Sequence, residues 1–353
     1  MSATRMDLSQ ITALKQSVQH NCHISDARFG TEYGLCTYLM KMREYFRWEH
    51  ELGFSDPLDK DEVGNWLSER ELVWEGLAEA DFSPIRIRGV EFQPFENVAI
   101  NEALEEAQLV YSSGIGHSGK PHFFLAELEQ LDRRDEYSLV VTGRELARDL
   151  TAPPAMTRDD VIFVRRESLR RMLWEKLESW RWNRPDNALG RAFACFDFEQ
   201  DLEGSLDEMT QSELELVRLH EQGEHRAGLW LEESWNRMLL DLTHTPAELA
   251  ARAVRDHLAD SMVTLPALAN LQVRSSMHFF IGNLSAMRRA LFPGLQEAYA
   301  KWLADFDVEP LRFLAIKGVE HWKRVAKEML DLHSRYGSNS ADLIYQSAKT
   351  STL

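Results

Sequence analysis

The chain has 353 residues, 44% of them hydrophobic and 27% charged, and a formal net charge of −17. That is enough apolar material for a sizeable core, and the acidic balance argues against nucleic-acid binding and adhesion to anionic membranes. Three cysteines, Cys22, Cys36 and Cys195, with no CxxC pair, exclude a disulfide framework or thiolate zinc cluster and suit a reducing compartment. The N-terminus lacks an apolar signal core, and no apolar run approaches the ~20 residues that span a bilayer. A cytoplasmic protein is expected.

Residues 7–80 read as helical. Leu35, Tyr38, Leu39, Met42 and Phe46 recur at helical spacing, and Val63, Trp66, Leu67, Leu72, Trp74 and Leu77 do so within Asp61–Ala80. Ahead of them, His23 and Asp26 in HNCHISDARFG read either as a metal-ligand pair or, more simply, as cap and turn residues. From Asp81 the texture changes. IRIRGVEFQPF alternates, and LVYSSG, HFFLAELEQL and EYSLVVTG look like strands, the last two joined by the polar turn DRRD. A helix is expected at Glu96–Ala107, and APPAM at 152–156 is a breaker. After a short extended piece at DDVIFV the rest is helical.

The most informative stretch is Thr210–Leu240. Thr210 and Glu213 match a capping box and no proline follows until Pro246, which predicts a helix of about nine turns opening at Thr210. Leu214, Val217, Glu221, Glu224, Gly228, Leu231, Trp235 and Met238 recur three and four apart, a bundle seam with two carboxylates in it. His220 flanks that face. A buried carboxylate persists only when paired, protonated or bound to a metal. Thr245 and Pro246 then open a further helix, PAELAARAVRDHLAD.

SGIGHSGKP contains GxGxxG and GxxxxGK patterns between Gly114 and Lys120. Pro121 stands where a phosphate loop needs a hydroxyl, and a strand, not a helix, follows, so a connection between strands is expected. LHEQGEH invites comparison with the zincin HExxH, but Glu224 replaces the second histidine and His225 falls off its face. A carboxylate-rich site of the kind that holds iron or manganese between bundle helices fits better, although the usual Glu-x-x-His is here Glu-x-x-Glu preceded by His. The candidate ligands are His220, Glu221 and Glu224 on the long helix, His257 and Asp260 on the next, and His278 within MHFFI. Against this, His257 and His278 read equally as hydrogen-bonded core, and Asp256 or Asp260 as partners of Arg252 or Arg255. Two aromatic and basic stretches, Arg43–Trp48 and Arg165–Trp182, are interleaved with glutamates. They read as helices with internal ion pairs, with an Arg-lined pocket for an anionic substrate as the alternative.

HNCHISDARFG, LCTYLMKMREYFRWE, TGRELARDLTAPPAM, LHEQGE and RAVRDHLAD resemble segments of an uncharacterised bacterial protein family, from about residue 15 to about 300. That family has no assigned activity, so the resemblance implies no function.

The expected fold is mostly α: a helical region at 1–81, a small α+β section at 82–165, a helical bundle at 166–335 and a flexible tail at 336–353. The expected function is a metal-dependent enzyme with a His/carboxylate site, in its most specific form a non-haem iron oxidoreductase. Iron or manganese suits the donor set better than zinc. The alternatives are a non-enzymatic helical binding or adaptor protein, in which an arginine such as Arg255 or Arg288 neutralises Glu224, and a metal-free hydrolase using Glu221 and Glu224. The partner is then a small-molecule substrate or another protein, not nucleic acid or membrane.

Overall fold

The computed structural model describes residues 6–116, 119–158 and 160–353. The chain is mostly helical, with an α+β section around a curled five-stranded sheet. It divides into two compact units, one of residues up to Lys176 together with Asp201–Leu206, the other of Leu177–Gln200 and Asp207–Leu353.

The first unit opens with α1 (Leu8–Phe29), whose N-terminus is closed by a capping box. Asp7 Oδ1 accepts from Gln10 N at 2.9 Å, and Gln10 Oε1 accepts from Asp7 N at 3.1 Å. Leu14, Val18 and Cys22, spaced at i, i+4 and i+8, bury one stripe of α1 against Tyr111, Phe123, Leu125 and Ala147 of the sheet. Helices α2 (Leu35–Glu49) and α3 (Lys60–Glu75) follow. The buried face of α2 is Met42, Tyr45 and Phe46; Leu35 and Leu39, part of the expected stripe, face solvent. Strands β1 (Ile85–Ile87) and β2 (Val90–Phe92) form a hairpin. Its turn, Arg88–Gly89, has positive φ at both residues, the twist that matches right-handed strands.

After α4 (Asn97–Leu104) come β3 (Leu109–Ile115), β4 (Pro121–Arg133), β5 (Ser138–Arg148), β6 (Ala155–Arg158) and β7 (Val161–Arg165). They pair in the order β3-β4-β5-β7-β6, all neighbours antiparallel except β5 and β7. Irregular register between Leu125 and Gln130 bends β4. The glycine-rich stretch Gly114–Lys120 joins β3 to β4 with no helix after it, so a nucleotide loop has no anion-binding helix end; His117 and Ser118 lie outside the described residues.

His23 and Asp26 are neither caps nor turn residues, for both sit inside α1. Arg70 Nη1 donates to His23 Nε2 at 2.7 Å. Asp26 is buried and accepts from Leu150 N at 2.9 Å, tying α1 to the end of β5. The helical region and the α+β section, expected as separate pieces, therefore share one core.

The second unit is helical throughout its regular structure. It contains the end of α5 (Arg166–Arg181), then α6 (Ala188–Phe193), α7 (Leu202–Asp241) from Asp207 on, α8 (Pro246–Ala259), a π-helical turn (Asp260–Thr264), α9 (Leu265–Leu271) and α10 (Arg274–Asn283). Helices α11 (Ala286–Leu291), α12 (Gly294–Asp305), α13 (Glu309–Tyr336) and α14 (Ala341–Thr350) complete it. Thr245 caps α8 as expected, accepting from Glu248 N at 3.2 Å. Leu231, Trp235 and Met238 of α7, Val254 and Leu258 of α8 and Trp322 of α13 are all buried.

Two expectations for this region fail. The helix begins at Leu202, not Thr210, so Thr210 and Glu213 are interior residues and form no capping box. Glu213 is instead a fully buried carboxyl that accepts from Ser276 Oγ at 3.0 Å. The helix also breaks at Glu232, where φ is +61°. Residues 336–353 are no flexible tail: α14 buries Ile344 and Ala348, and Leu353 bonds Leu291 O and Gly294 N at 3.0 Å each. Among the described residues, no helix is long and apolar enough to cross a membrane.

Candidate functional site

The site forms where α7 meets α8. Gly223 lies so close to Ala259 that a Cβ built on it would stand 2.5 Å from the Ala259 carbonyl oxygen, a contact only glycine permits. His220 and Glu224 flank Gly223 on α7, and Asp256 and Asp260 lie at the end of α8, each pair i,i+4 on one helix face. The close crossing lets the two pairs meet. Asp260 also begins the π-helical turn, a local widening that recurs at functional sites.

His220 Nδ1 lies 2.9 Å from Asp260 Oδ1, and His220 Nε2 lies 3.4 Å from Glu224 Oε1. Arg255 Nη2 donates to Glu224 Oε1 at 2.8 Å and to Asp256 Oδ1 at 3.3 Å. Arg288, from α11, donates to Asp260 Oδ2. Three carboxylates thus face two guanidiniums and one imidazole. Asp260 is fully buried, whereas the Glu224 and His220 side chains keep 17% and 26% of their exposure, so the cluster reaches solvent from one side.

The electrostatics follow from this arrangement. Burial alone would lift Asp260, but the Arg288 and His220 charges beside it bring its carboxyl down to about 2. Burial likewise opposes the charged form of Glu224, and Arg255 and His220 outweigh it and hold Glu224 well below the usual carboxylate range. Burial disfavours the His220 cation, yet Asp260 and Glu224 push its pKa well above the ordinary imidazole value. Asp256 is raised, by burial and by the Glu224 charge. One ligand atom each from His220, Glu224 and Asp256 lies within 4.8 Å of the others, a spacing a divalent cation can draw together.

Of the residues singled out in the sequence, the structure brings His220, Glu224 and Asp260 together. His257 points elsewhere: its Nε2 donates to Arg288 O at 2.9 Å and its ring stacks on Trp322 at 5.0 Å. Burial and Arg288 depress its pKa to about 3, so it is a neutral core histidine. His278 is buried on α10, 2.7 Å from Tyr299 Oη and edge-on to Trp302. Glu221 is buried within electrostatic reach of Arg255 but outside the three-residue cluster. Asp256 enters in their place. The signal for it was the i,i+4 spacing to Asp260, which mirrors His220 and Glu224, whereas His257 at i,i+3 falls on another side of α8. Beside the π-helical turn, a groove of about 500 Å³ is lined by Arg226, Ser261, Met262 and Asn270 among others.

Residues 13–165 match the N-terminal domain, and residues 170–351 the C-terminal domain, of a family of unknown function (DUF6866). The chain belongs to that family. Membership of DUF6866 bears out the resemblance to an uncharacterised family and extends it almost to the C-terminus. The junction of the two DUF6866 domains lies within α5, the helix in which the compact units also divide. No curated protein and no solved structure matches the chain significantly.

Proposed function

We propose that this protein is a metal-dependent enzyme whose C-terminal unit binds one divalent ion, iron or manganese before zinc, through His220, Glu224 and Asp256. The observation that carries the reading is the Asp260–His220 contact of 2.9 Å. A carboxylate on Nδ1 fixes the ring and leaves Nε2 for a metal, the arrangement by which outer partners orient metal-binding histidines. Here Nε2 faces Glu224, with Asp256 alongside. One imidazole and two carboxylates suit iron or manganese, and three protein ligands leave coordination positions open for water or substrate. The ion replaces the positive charge that Arg255 supplies to Glu224 and Asp256. The small-molecule substrate is then expected in the neighbouring groove, and the acidic chain with its free cysteines fits the cytoplasm.

One observation favours a second reading, a binding or adaptor protein without catalysis. Arg255 and Arg288 already pair with Glu224 and Asp260, as a charge-compensated structural network requires. Elemental analysis of protein purified without chelating resin separates the two. Stoichiometric iron or manganese, lost in Glu224→Gln with the fold retained, is the expected result. A metal-free protein that acquires none on incubation with Fe(II) or Mn(II) sinks the enzyme reading.

A further inference from the structure

The groove of about 500 Å³ beside the π-helical turn has a lining that selects its ligand. Its apolar walls are aliphatic: Met262 from the turn, Pro266 from α9, and Ala315, Ile316 and Val319 from α13. Its polar groups are Arg226 from α7, Ser261, Asn270 from α9 and Arg312 from α13. Among the described residues that line it there is no acidic and no aromatic side chain, in a chain of 57 acidic and 40 basic residues. Two guanidiniums without a carboxylate in the lining reverse the sign of the protein locally.

Most of that polarity is free for a ligand. Ser261 is the exception: its Oγ donates to His257 O at 2.7 Å, and α13 packs so closely on it that a Cβ built on Gly318 would collide with that hydroxyl. Arg226 and Asn270 are exposed, and neither makes a hydrogen bond or ion pair among the described residues. Arg312 is only partly engaged. Its Nη2 donates to Ala269 O at 3.3 Å, while its Nε is buried without a hydrogen bond. Glu309 Oε1 stands 3.3 Å from that Nε, but the two side chains are 43% and 76% exposed, and an ion pair so open to water is weak enough for a ligand to displace. On the apolar side, Ile316 is 75% exposed, so an aliphatic chain laid against it releases water.

We infer that this groove binds an aliphatic organic anion. Arg226 and Arg312 hold its oxyanion, carboxylate or phosphate, and its chain lies on Met262, Ile316 and Val319. The guanidinium fork suits either oxyanion, and the volume suits a small metabolite. That such an anion is the substrate rests on the metal-dependent function proposed above; the binding itself does not.

Isothermal titration calorimetry of the full chain as purified with octanoate, octyl phosphate and 1-octanol tests this. Octanoate or octyl phosphate binds one-to-one at about millimolar Kd or tighter, and the tighter of the two identifies the oxyanion; 1-octanol, with the same chain and no charge, binds about tenfold more weakly. Arg226→Gln weakens the better probe by about tenfold and Ile316→Ser by about fivefold, and both variants keep the parent melting temperature because the two side chains are exposed. Glu224→Gln, which removes a proposed metal ligand, leaves probe binding unchanged. Binding that is lost in Glu224→Gln and kept in Arg226→Gln places the oxyanion on the metal, which overturns the inference and leaves the metal reading standing. A metal-free protein that binds octanoate through Arg226 sinks the metal reading alone. Equal affinity for 1-octanol and octanoate, binding unaltered by Arg226→Gln, or no binding of either anion at roughly 10 mM overturns the inference.

Discussion

Glu213→Gln should stabilise the protein at neutral and alkaline pH and do little at pH 5. Burial raises the Glu213 pKa to about 8, against 4.5 for the same group in solvent, and the Ser276 hydrogen bond offsets only part of the rise. The folded state therefore keeps a proton that the unfolded chain releases. Stability linked to this group is fully present below about pH 4.5 and is lost as pH rises toward 8. At ~1.36 kcal/mol per pKa unit, the loss is roughly 3 kcal/mol at pH 7 and roughly 5 kcal/mol above pH 8. Glutamine does not titrate, and its side-chain oxygen can still accept from Ser276 Oγ. Its amide group replaces Oε2, which has no partner, and an unsatisfied buried donor costs about 1–3 kcal/mol. The net expectation is a gain of about 2 kcal/mol at pH 8. Urea unfolding of both proteins at pH 5 and pH 8 measures it, through the midpoint at unchanged m-value. A variant destabilised equally at both pH values refutes the reasoning, because it would mean that Glu213 is ionised and paired in the fold.

Gly223→Ala should lower stability by at least about 2 kcal/mol, since a Cβ at 2.5 Å from the Ala259 carbonyl oxygen forces α7 and α8 apart. It should also weaken metal retention as strongly as Glu224→Gln does; a melting temperature equal to wild type contradicts the crossing described here. Ile344→Ala should cost about 2–4 kcal/mol by leaving a cavity under α14, measured by thermal or urea unfolding. An effect within about 0.5 kcal/mol, the range of surface substitutions, would return residues 336–353 to the status of a frayed tail.

The sequence by itself determined most of the local structure. Periodicity placed α2, α3 and helical structure between Asp186 and Tyr336, alternation placed β1 to β5, and Thr245–Pro246 announced α8, because caps, turns and amphipathic stripes depend on residues a few positions apart. The same locality explains the failures. Thr210-x-x-Glu213 has the form of a capping box, yet Asp201 Oδ1, accepting from Gly204 N at 2.9 Å, marks the true start of α7. The partner of the buried Glu213 carboxyl, Ser276, lies 63 positions away. The tail is polar by composition, and only the docking of Ile344 and Ala348 makes it a helix of the core.

The candidate site divides in the same way. That Glu224 needs a compensating group is legible from its place on the helix seam; of the two arginines the sequence offers for it, Arg255 pairs with Glu224, whereas Arg288 goes to Asp260. That Asp256 and Asp260, not His257 or His278, face His220 and Glu224 was decided by the crossing at Gly223 and Ala259. A rotation of α8 by one residue, about 100°, would have chosen differently. The meeting of the two Arg/Trp stretches is more plainly tertiary. The two stretches, Arg43–Trp48 and Arg165–Trp182, are separated by more than a hundred residues, and only the tertiary fold brings Arg47, Trp48, Arg170 and Arg171 around one cavity of the N-terminal unit. Charge balance within a core is a sum over everything that packs there, and a sequence lists charges without saying which of them meet.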